Sequence, residues 1–249
     1  MSAKAAWDVG GGPVPLHAAW SMLMAAVVGF ISQKGGVGKS TLARALATSA
    51  VKAGLAVKTV DLDPEQATIT VWAQTRDRYK VSPAINVDAF RLVRDALAST
   101  HGEELVIIDT PGGISDAVAE IAAHATFLVQ PTSPSVDDLY PAVLVFRALE
   151  RVGVSRGSLA FALCRTLADE EASNARTYLT GLDYAVLTGD IPEHLDYRNA
   201  MNQGRAITEA SQESLSSRAD TMIADLLARA RPVLEQATRQ PDQRLSGAA

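Results

Sequence analysis

The sequence predicts an α/β chain: a doubly wound, mostly parallel sheet with helices on both faces. Three observations predict it. Near-continuous apolar runs alternate with segments of helical spacing, the pattern of strands covered on both faces by crossover helices. A glycine-rich turn joins the first apolar run to the first helical segment. Two later apolar runs end in aspartates, at the strand ends where open α/β sheets hold ligands.

Taken in order, residues 26–32 are an apolar run that ends at the glycine-rich turn. Residues 41–53 are helical by composition, with Gly54 as a C-terminal stop. A strand over 56–63 and a weaker one over 85–90 follow. Residues 105–110 and 126–132 are apolar runs bounded by turn residues, and 158–165 and 185–191 have the same form. Between them, 115–123, 137–151 and 171–179 carry helical spacing. Residues 221–233 predict an amphipathic helix that Pro232 is expected to limit. Trp72 lies in a helical pattern after Pro64 and is expected in the core or an interface.

A chain of 249 residues suits one large domain or two small ones and can bury a core without disulfides or metals. Apolar residues make up 47% and charged residues 20%, ordinary for a soluble globular protein. The net charge of -5 argues against a globally basic nucleic-acid binder. Cys164, the sole cysteine, allows no internal disulfide, which points to a reducing compartment. It also leaves no cysteine set for zinc or an iron–sulfur cluster. His17, His101, His124 and His194 show no metal spacing. The longest apolar run, 18–31, is shorter than the roughly 20 residues that span a bilayer. Residues 1–23, with Gly10-Gly11-Gly12-Pro13, read as a disordered extension, and Met22 or Met24 offers an alternative start. Residues 24–236 read as the domain and 237–249 as a polar tail.

The turn after the first strand is Lys34-Gly35-Gly36-Val37-Gly38-Lys39-Ser40, followed by Thr41. Gly38-Lys39-Ser40 between a strand and a helix is the core of a P-loop. Glycines let backbone N–H groups approach phosphate oxygens, and the helix N-terminus adds its dipole. Lys39 would reach the β- and γ-phosphates, Ser40 would ligate Mg²⁺, and Thr41 would sit near the α-phosphate. The general pattern places glycine five positions before Gly38; this chain has Gln33 there, and a second lysine, Lys34. The plain alternative is a glycine-rich turn without a ligand.

Two carboxylate motifs close later strands. Asp109-Thr110-Pro111-Gly112 ends one, and Asp61-Leu62-Asp63-Pro64 ends another. A phosphate-transferring site needs a carboxylate near its Mg²⁺, often through water. Asp109 suits that role, Asp61 its outer shell, and Asp63 the orientation of the attacking water. Against this, aspartates often do no more than cap turns.

These motifs resemble the ParA/MinD family of deviant Walker A P-loop ATPases. The loop from Lys34 to Ser40 matches the family signature, extra lysine included. Asp61-Leu62-Asp63-Pro64 resembles its second motif, although Glu65-Gln66 replaces the usual Gln-Gly, and Asp109-Thr110-Pro111 resembles its Walker B segment. Pro134-Ser135 with Asp138 resembles the stretch after the next strand. Tyr197-Arg198-Asn199-Ala200 with Gly204 is similar to a segment of the small partition members. The likeness covers about residues 25–235. It implies that two subunits sandwich two ATP molecules with Mg²⁺, and that Lys34 crosses to the partner's phosphates as a catalytic residue beside Lys39 and Asp63. It further implies nonspecific DNA binding by the ATP dimer, and slow hydrolysis stimulated by a ParB-type partner. The cycle would partition plasmid or chromosomal DNA, or position a cargo, in a cytoplasmic and nucleoid-associated protein.

Some branches of the resemblance are disfavoured. Cluster-carrying members need more cysteines, and arsenite-pump-like members usually have two phosphate loops. MinD-like members end in a membrane helix, whereas residues 240–249 are polar and broken by Pro241; no stable membrane anchor is expected. The segment before the first strand is short for a DNA-reading domain. Between 195 and 239, arginines 198, 205, 218, 229, 231 and 239 balance six acids, a mild basic shift against the chain's -5. Arg198 and Arg205 are the candidate DNA contacts, with a solvated helix face as the plain alternative. Cys164-Arg165 could border the adenine, or be a buried cysteine beside a surface arginine. The rival functions are a nucleotide-gated adaptor without DNA binding and a metabolic kinase with no use for Lys34.

Overall fold

A computed structural model describes residues 25–113 and 116–239; the expected extension 1–23 lies outside them. The chain order is β1 (Ala26–Phe30), α1 (Lys39–Lys52), β2 (Val57–Asp61), α2 (Thr68–Arg78), β3 (Val87–Ala89), α3 (Val93–Ala98), β4 (Leu105–Asp109) and α4 (Asp116–His124). It continues with β5 (Phe127–Thr132), α5 (Val136–Arg151), β6 (Leu159–Thr166), α6 (Asp169–Gly181), β7 (Ala185–Val186), β8 (Ile191–Pro192), α7 (Leu195–Asn202) and α8 (Glu213–Arg239).

The strands lie in the order β3-β2-β4-β1-β5-β6-β7, with β8 also on β6, and every pairing is parallel. Successive side chains of a strand face opposite layers. Val28 and Phe30 pack with Leu42, Leu46, Trp72 and Met222 beneath α1, α2 and α8. Val27 and Ile31 pack with Ile108, Ile121 and Phe146 on the other side. Both faces are thus buried, which is why the strands read as continuous apolar runs.

The register positions the site. Phe30 and Asp61 both pair with Asp109, so both carboxylate motifs and the phosphate loop leave the sheet along one edge. Val129 accepts from Ile31 N at 3.0 Å, so Pro131, two residues on, also faces the β1 side. Beyond Ile31 the chain has left the sheet for the loop, and a residue without N–H costs no ladder bond there.

Five elements depart from the sequence expectations. The run 185–191 is not one strand: β7 and β8 are separated, with Gly189 at φ 77 between them. The helix expected over 221–233 runs from Glu213 to Arg239, past Pro232 and past the expected domain end at 236. The strand expected over 85–90 shortens to β3, and α3 and α7 are helices that periodicity did not mark.

Candidate nucleotide site

The loop between β1 and α1 holds Gly36 at φ 73 and Gly38 at φ 117, left-handed values that suit glycine. A Cβ on Gly38 would also stand 3.3 Å from Cys164 Sγ and 3.6 Å from Pro131 Cβ. Cys164 therefore lies buried under the loop, and burial pushes its thiol up to about 12. Val37 is buried too, so it can offer a ligand only its backbone. The first turn of α1 has no side-chain cap and no acidic residue; its N–H groups are left for an anion.

The loop opens on a cavity of about 320 Å³. Gly35, Gly36, Gly38, Lys39, Ser40 and Thr41 form one wall. Asp63 comes from the turn after β2, and Asp109 and Thr110 from the end of β4. Thr110 Oγ1 donates to the Phe30 carbonyl at 2.8 Å, and Gly113 N to the Ser32 carbonyl at 3.1 Å, which ties the third wall to the first.

Lys39 is 7% exposed, and its Nζ donates to the Lys34 carbonyl at 3.5 Å. Burial lowers its pKa, against the pull of Asp109 and Asp63. Asp109 is 3% exposed, and its Oδ1 has no hydrogen-bond partner among the described residues. Burial pushes its carboxyl up to about 6; Ser40 opposes, Asp61 adds to the rise, and Lys39 and Arg44 oppose. An orphaned buried carboxylate oxygen beside a hydroxyl costs free energy as it stands and is a donor set that suits Mg²⁺.

Asp61 stands apart from the cavity. Its Oδ1 accepts from Asp63 N at 3.0 Å, and its Oδ2 from Thr70 N at 3.2 Å and Thr70 Oγ1 at 2.8 Å. Both oxygens thus brace the turn and the first turn of α2, which leaves Asp61 a supporting place behind any metal. Asp63 Oδ1 accepts from Gln66 N at 3.1 Å while the side chain stays on the cavity wall.

Lys34 points the other way. Its Nζ donates to the Asp137 carbonyl at 2.7 Å and pairs with the Asp138 carboxylate. Pro141, four residues after Asp137 inside α5, has no N–H to give that carbonyl, so the lysine fills the vacancy. Ser133 Oγ also donates to Asp138, at 2.5 Å. Burial would raise the Asp138 pKa, but Lys34 and Ser133 outweigh it and hold it low.

The candidate DNA arginines separate. Arg198 pairs with Glu193, which also takes Arg165 Nε at 2.8 Å. Arg205 is exposed, and its carbonyl accepts from Trp72 Nε1 at 3.1 Å. Sequence reasoning missed Arg44 and Met201, which close the cavity's far end. Arg44 Nη2 donates to the Thr68 carbonyl at 2.7 Å, and its guanidinium lies 5.6 Å from the Trp72 ring centroid. Burial brings its pKa down to about 10 against Asp109 and Asp61. Arg44 follows Ser40 by four residues, and that helical spacing was the available signal.

Residues 28–229 match the family described as the CobQ/CobB/MinD/ParA nucleotide binding domain. The chain belongs to that family. A curated relative, protein ParA of Rhizobium radiobacter, is 29% identical over 113 residues, which are 45% of this chain and 50% of that protein. The match thus spans about half the length of that relative. Among solved structures, a putative plasmid partition protein of Borrelia burgdorferi B31 bound to AMPPNP superposes with a TM-score of 0.67 at 14% identity, over 82% of this chain and 99% of that one. The septum site-determining protein MinD of Pyrococcus horikoshii OT3, complexed with Mg-ADP, gives 0.65 at 17% identity, over 85% and 99%. At these identities the likeness is one of fold. Among the described residues of this ParA/MinD-family chain, no helix is long and apolar enough to cross a membrane.

Proposed function

We propose that this chain is a ParA-type switch ATPase. It binds ATP with Mg²⁺, dimerises on ATP, binds DNA without sequence preference, and hydrolyses ATP to ADP and phosphate slowly until a ParB-type partner stimulates it. The carrying observation is the division of labour between two lysines of one loop. Lys39 is buried in the cavity, whereas Lys34 lies outside it, with its side chain 45% exposed. An outward lysine is redundant for a solitary phosphate site and useful to a second subunit.

Each residue then has a task. The loop amides and the α1 N-terminus bind the phosphates, and Lys39 places charge against the β- and γ-phosphates. Ser40 and Asp109 would hold Mg²⁺, with Asp61 supporting from behind. When bound, that ion neutralises phosphate charge. Asp63 orients the attacking water. Thr41, Arg44 and Met201 line the remaining length of the nucleotide. Cycles of ATP binding and release would move DNA or another cargo in the cytoplasm, over the nucleoid.

The test is phosphate release from ATP–Mg²⁺ with and without duplex DNA. Slow turnover that Lys39→Ala abolishes together with nucleotide binding supports the reading. Turnover that survives Lys39→Ala contradicts it.

A nucleotide-gated adaptor is the second reading, and one observation favours it. The N-terminal ends of α5 and α6 border an apolar groove that leaves Val136, Tyr140 and Tyr178 exposed. Such a face suits a protein partner as readily as a second subunit.

A further inference from the structure

The cationic end of α2 lies outside the nucleotide cavity. The helix finishes Arg76-Asp77-Arg78, followed by Tyr79 and Lys80. Tyr79 N donates to the Thr75 carbonyl at 3.0 Å and Val81 N to the Arg76 carbonyl at 3.0 Å, with Lys80 at φ 53 between them. This left-handed turn ends the helix and leaves Tyr79 59% exposed and Lys80 exposed.

A second segment is fastened to that end. A Cβ on Gly204 would fall 2.3 Å from Arg76 Cα, so the two backbones touch where only glycine fits. Arg76 gives Nη1 to the Gly204 carbonyl at 2.9 Å and grips Glu209 with both Nη atoms, at 2.6 and 3.0 Å. Trp72 Nε1 holds the Arg205 carbonyl. Arg205 and Lys80 consequently border one open cavity of about 460 Å³, with Lys52, Tyr79 and Ser82.

The charge there does not cancel. Glu209, the carboxylate in the lining, has a side chain 7% exposed and is already held by Arg76 and by Lys52 at 2.7 Å. The other acids near are Asp77 on the same helix turn and Asp220, which feels Lys52. Lys80 and Arg205 are exposed and pair with no carboxylate among the described residues. Unpaired cations on an acidic chain attract polyanions.

We propose that this cavity and its rim seat the phosphate backbone of duplex nucleic acid, through Lys80 and Arg205, with the Tyr79 and Ser82 hydroxyls as neutral donors. The proposal rests on the DNA-binding part of the proposed function and locates it. The cations border an open cavity and are themselves exposed, which suits a polymer more than an enclosed small anion. The exposed aromatic is a tyrosine and Val81 is half-buried, so no apolar wedge is offered to a bilayer. The surface is also linked to the nucleotide site: α2, 11 residues long, holds the Thr70 bonds to Asp61 in its first turn and ends at this cavity, about 12 Å further along the helix. Arg198, spent on Glu193, is not part of it.

The experiment is fluorescence anisotropy of a labelled duplex of arbitrary sequence, titrated at several salt concentrations with ATP–Mg²⁺ present. Wild type is compared with Lys80→Ala/Arg205→Ala, with the milder Lys80→Gln, and with Arg198→Ala. Melting temperature and affinity for a fluorescent ADP analogue check folding. We expect the double variant to lose about tenfold or more in affinity and about two units of salt slope, Lys80→Gln about one unit, and Arg198→Ala little. A double variant that binds as wild type does overturns this surface and leaves the DNA-binding switch standing. A wild type that ignores duplex but binds phosphatidylserine vesicles, with loss in the double variant, overturns the nucleic-acid assignment. A wild type that binds neither overturns it together with the DNA part of the function.

Discussion

Lys34 Nζ occupies the Asp137 carbonyl, at 2.7 Å, that Pro141 leaves without a helical donor, and it pairs with Asp138 beside it. On the proposed function, in which Lys34 reaches a second subunit, that lysine is first held by its own chain. The pair is partly exposed, 45% and 20% by side chain, so its release costs little, about 1 kcal/mol or less. Asp138→Asn should remove part of that cost and raise dimer formation in ATP by up to about fivefold, read from sedimentation velocity over a concentration series. Weaker dimerisation in that variant would mean that Asp138 serves the dimer rather than restraining it.

Asp109 should respond to pH in a defined direction. Its carboxyl sits at about 6 in the fold against 3.8 unfolded, so the folded chain takes up a proton first. The penalty of the buried charge is full above about pH 6 and gone below about pH 4, with a size on the order of 3 kcal/mol. Without nucleotide or Mg²⁺, Asp109→Asn should melt higher than wild type at neutral pH, and the gap should close as the pH falls to about 4. With ADP–Mg²⁺ the order should reverse, because only wild type gains a ligand for the metal. An equal gap at every pH would show that the carboxyl is not strained by burial.

Arg76 and Glu209 should behave as a buried pair. Arg76 is 1% exposed, and although burial alone would raise Glu209, Arg76 and Lys52 hold it down at about 2. A carboxylate depressed from 4.5 stabilises the fold above its unfolded value, and that contribution is lost as pH drops through about 2. Glu209→Gln leaves Arg76 buried with its charge uncompensated, and should cost about 3 kcal/mol in urea unfolding at neutral pH. A loss below about 0.5 kcal/mol would place the pair among surface bridges.

Gly204→Ala should be worse than an ordinary glycine replacement. The position has φ 71, and the new methyl meets the Arg76 backbone at 2.3 Å, which no side-chain rotation relieves. Loss of more than about 3 kcal/mol, or failure to accumulate as folded protein, is expected; a Tm close to wild type would contradict the close approach.

Much of this was legible in the sequence. Strand–helix alternation and the three motifs require only local patterns, and both aspartate motifs fall at strand ends, where the register pairs Asp61 with Asp109. The order of the strands was not legible, because parallel crossovers leave no short-range trace. Nor was the break between β7 and β8, where Leu187 N still bonds the Phe161 carbonyl at 2.8 Å although the strand is interrupted. Arg76 and Glu209 lie 133 residues apart, and Arg44 and Met201 157; no periodicity joins such pairs. Arg198 and Arg205 looked equivalent as charges, yet one is spent on Glu193 and the other pairs with no carboxylate among the described residues. Helix α8 continued past Pro232 because burial of Met222, Ile223, Leu226 and Ala230 against the sheet anchors the preceding turns, and tertiary packing outweighs a local breaker.

The most direct test of the switch is the mass of the protein by light scattering, in ADP and in ATP–Mg²⁺, for wild type, Lys34→Ala and the hydrolysis-impaired Asp63→Ala. A ParA-type switch should be a monomer in ADP, a dimer in ATP that Asp63→Ala preserves or strengthens, and a monomer throughout for Lys34→Ala. An ATP-bound monomer, or a dimer indifferent to Lys34, would contradict it.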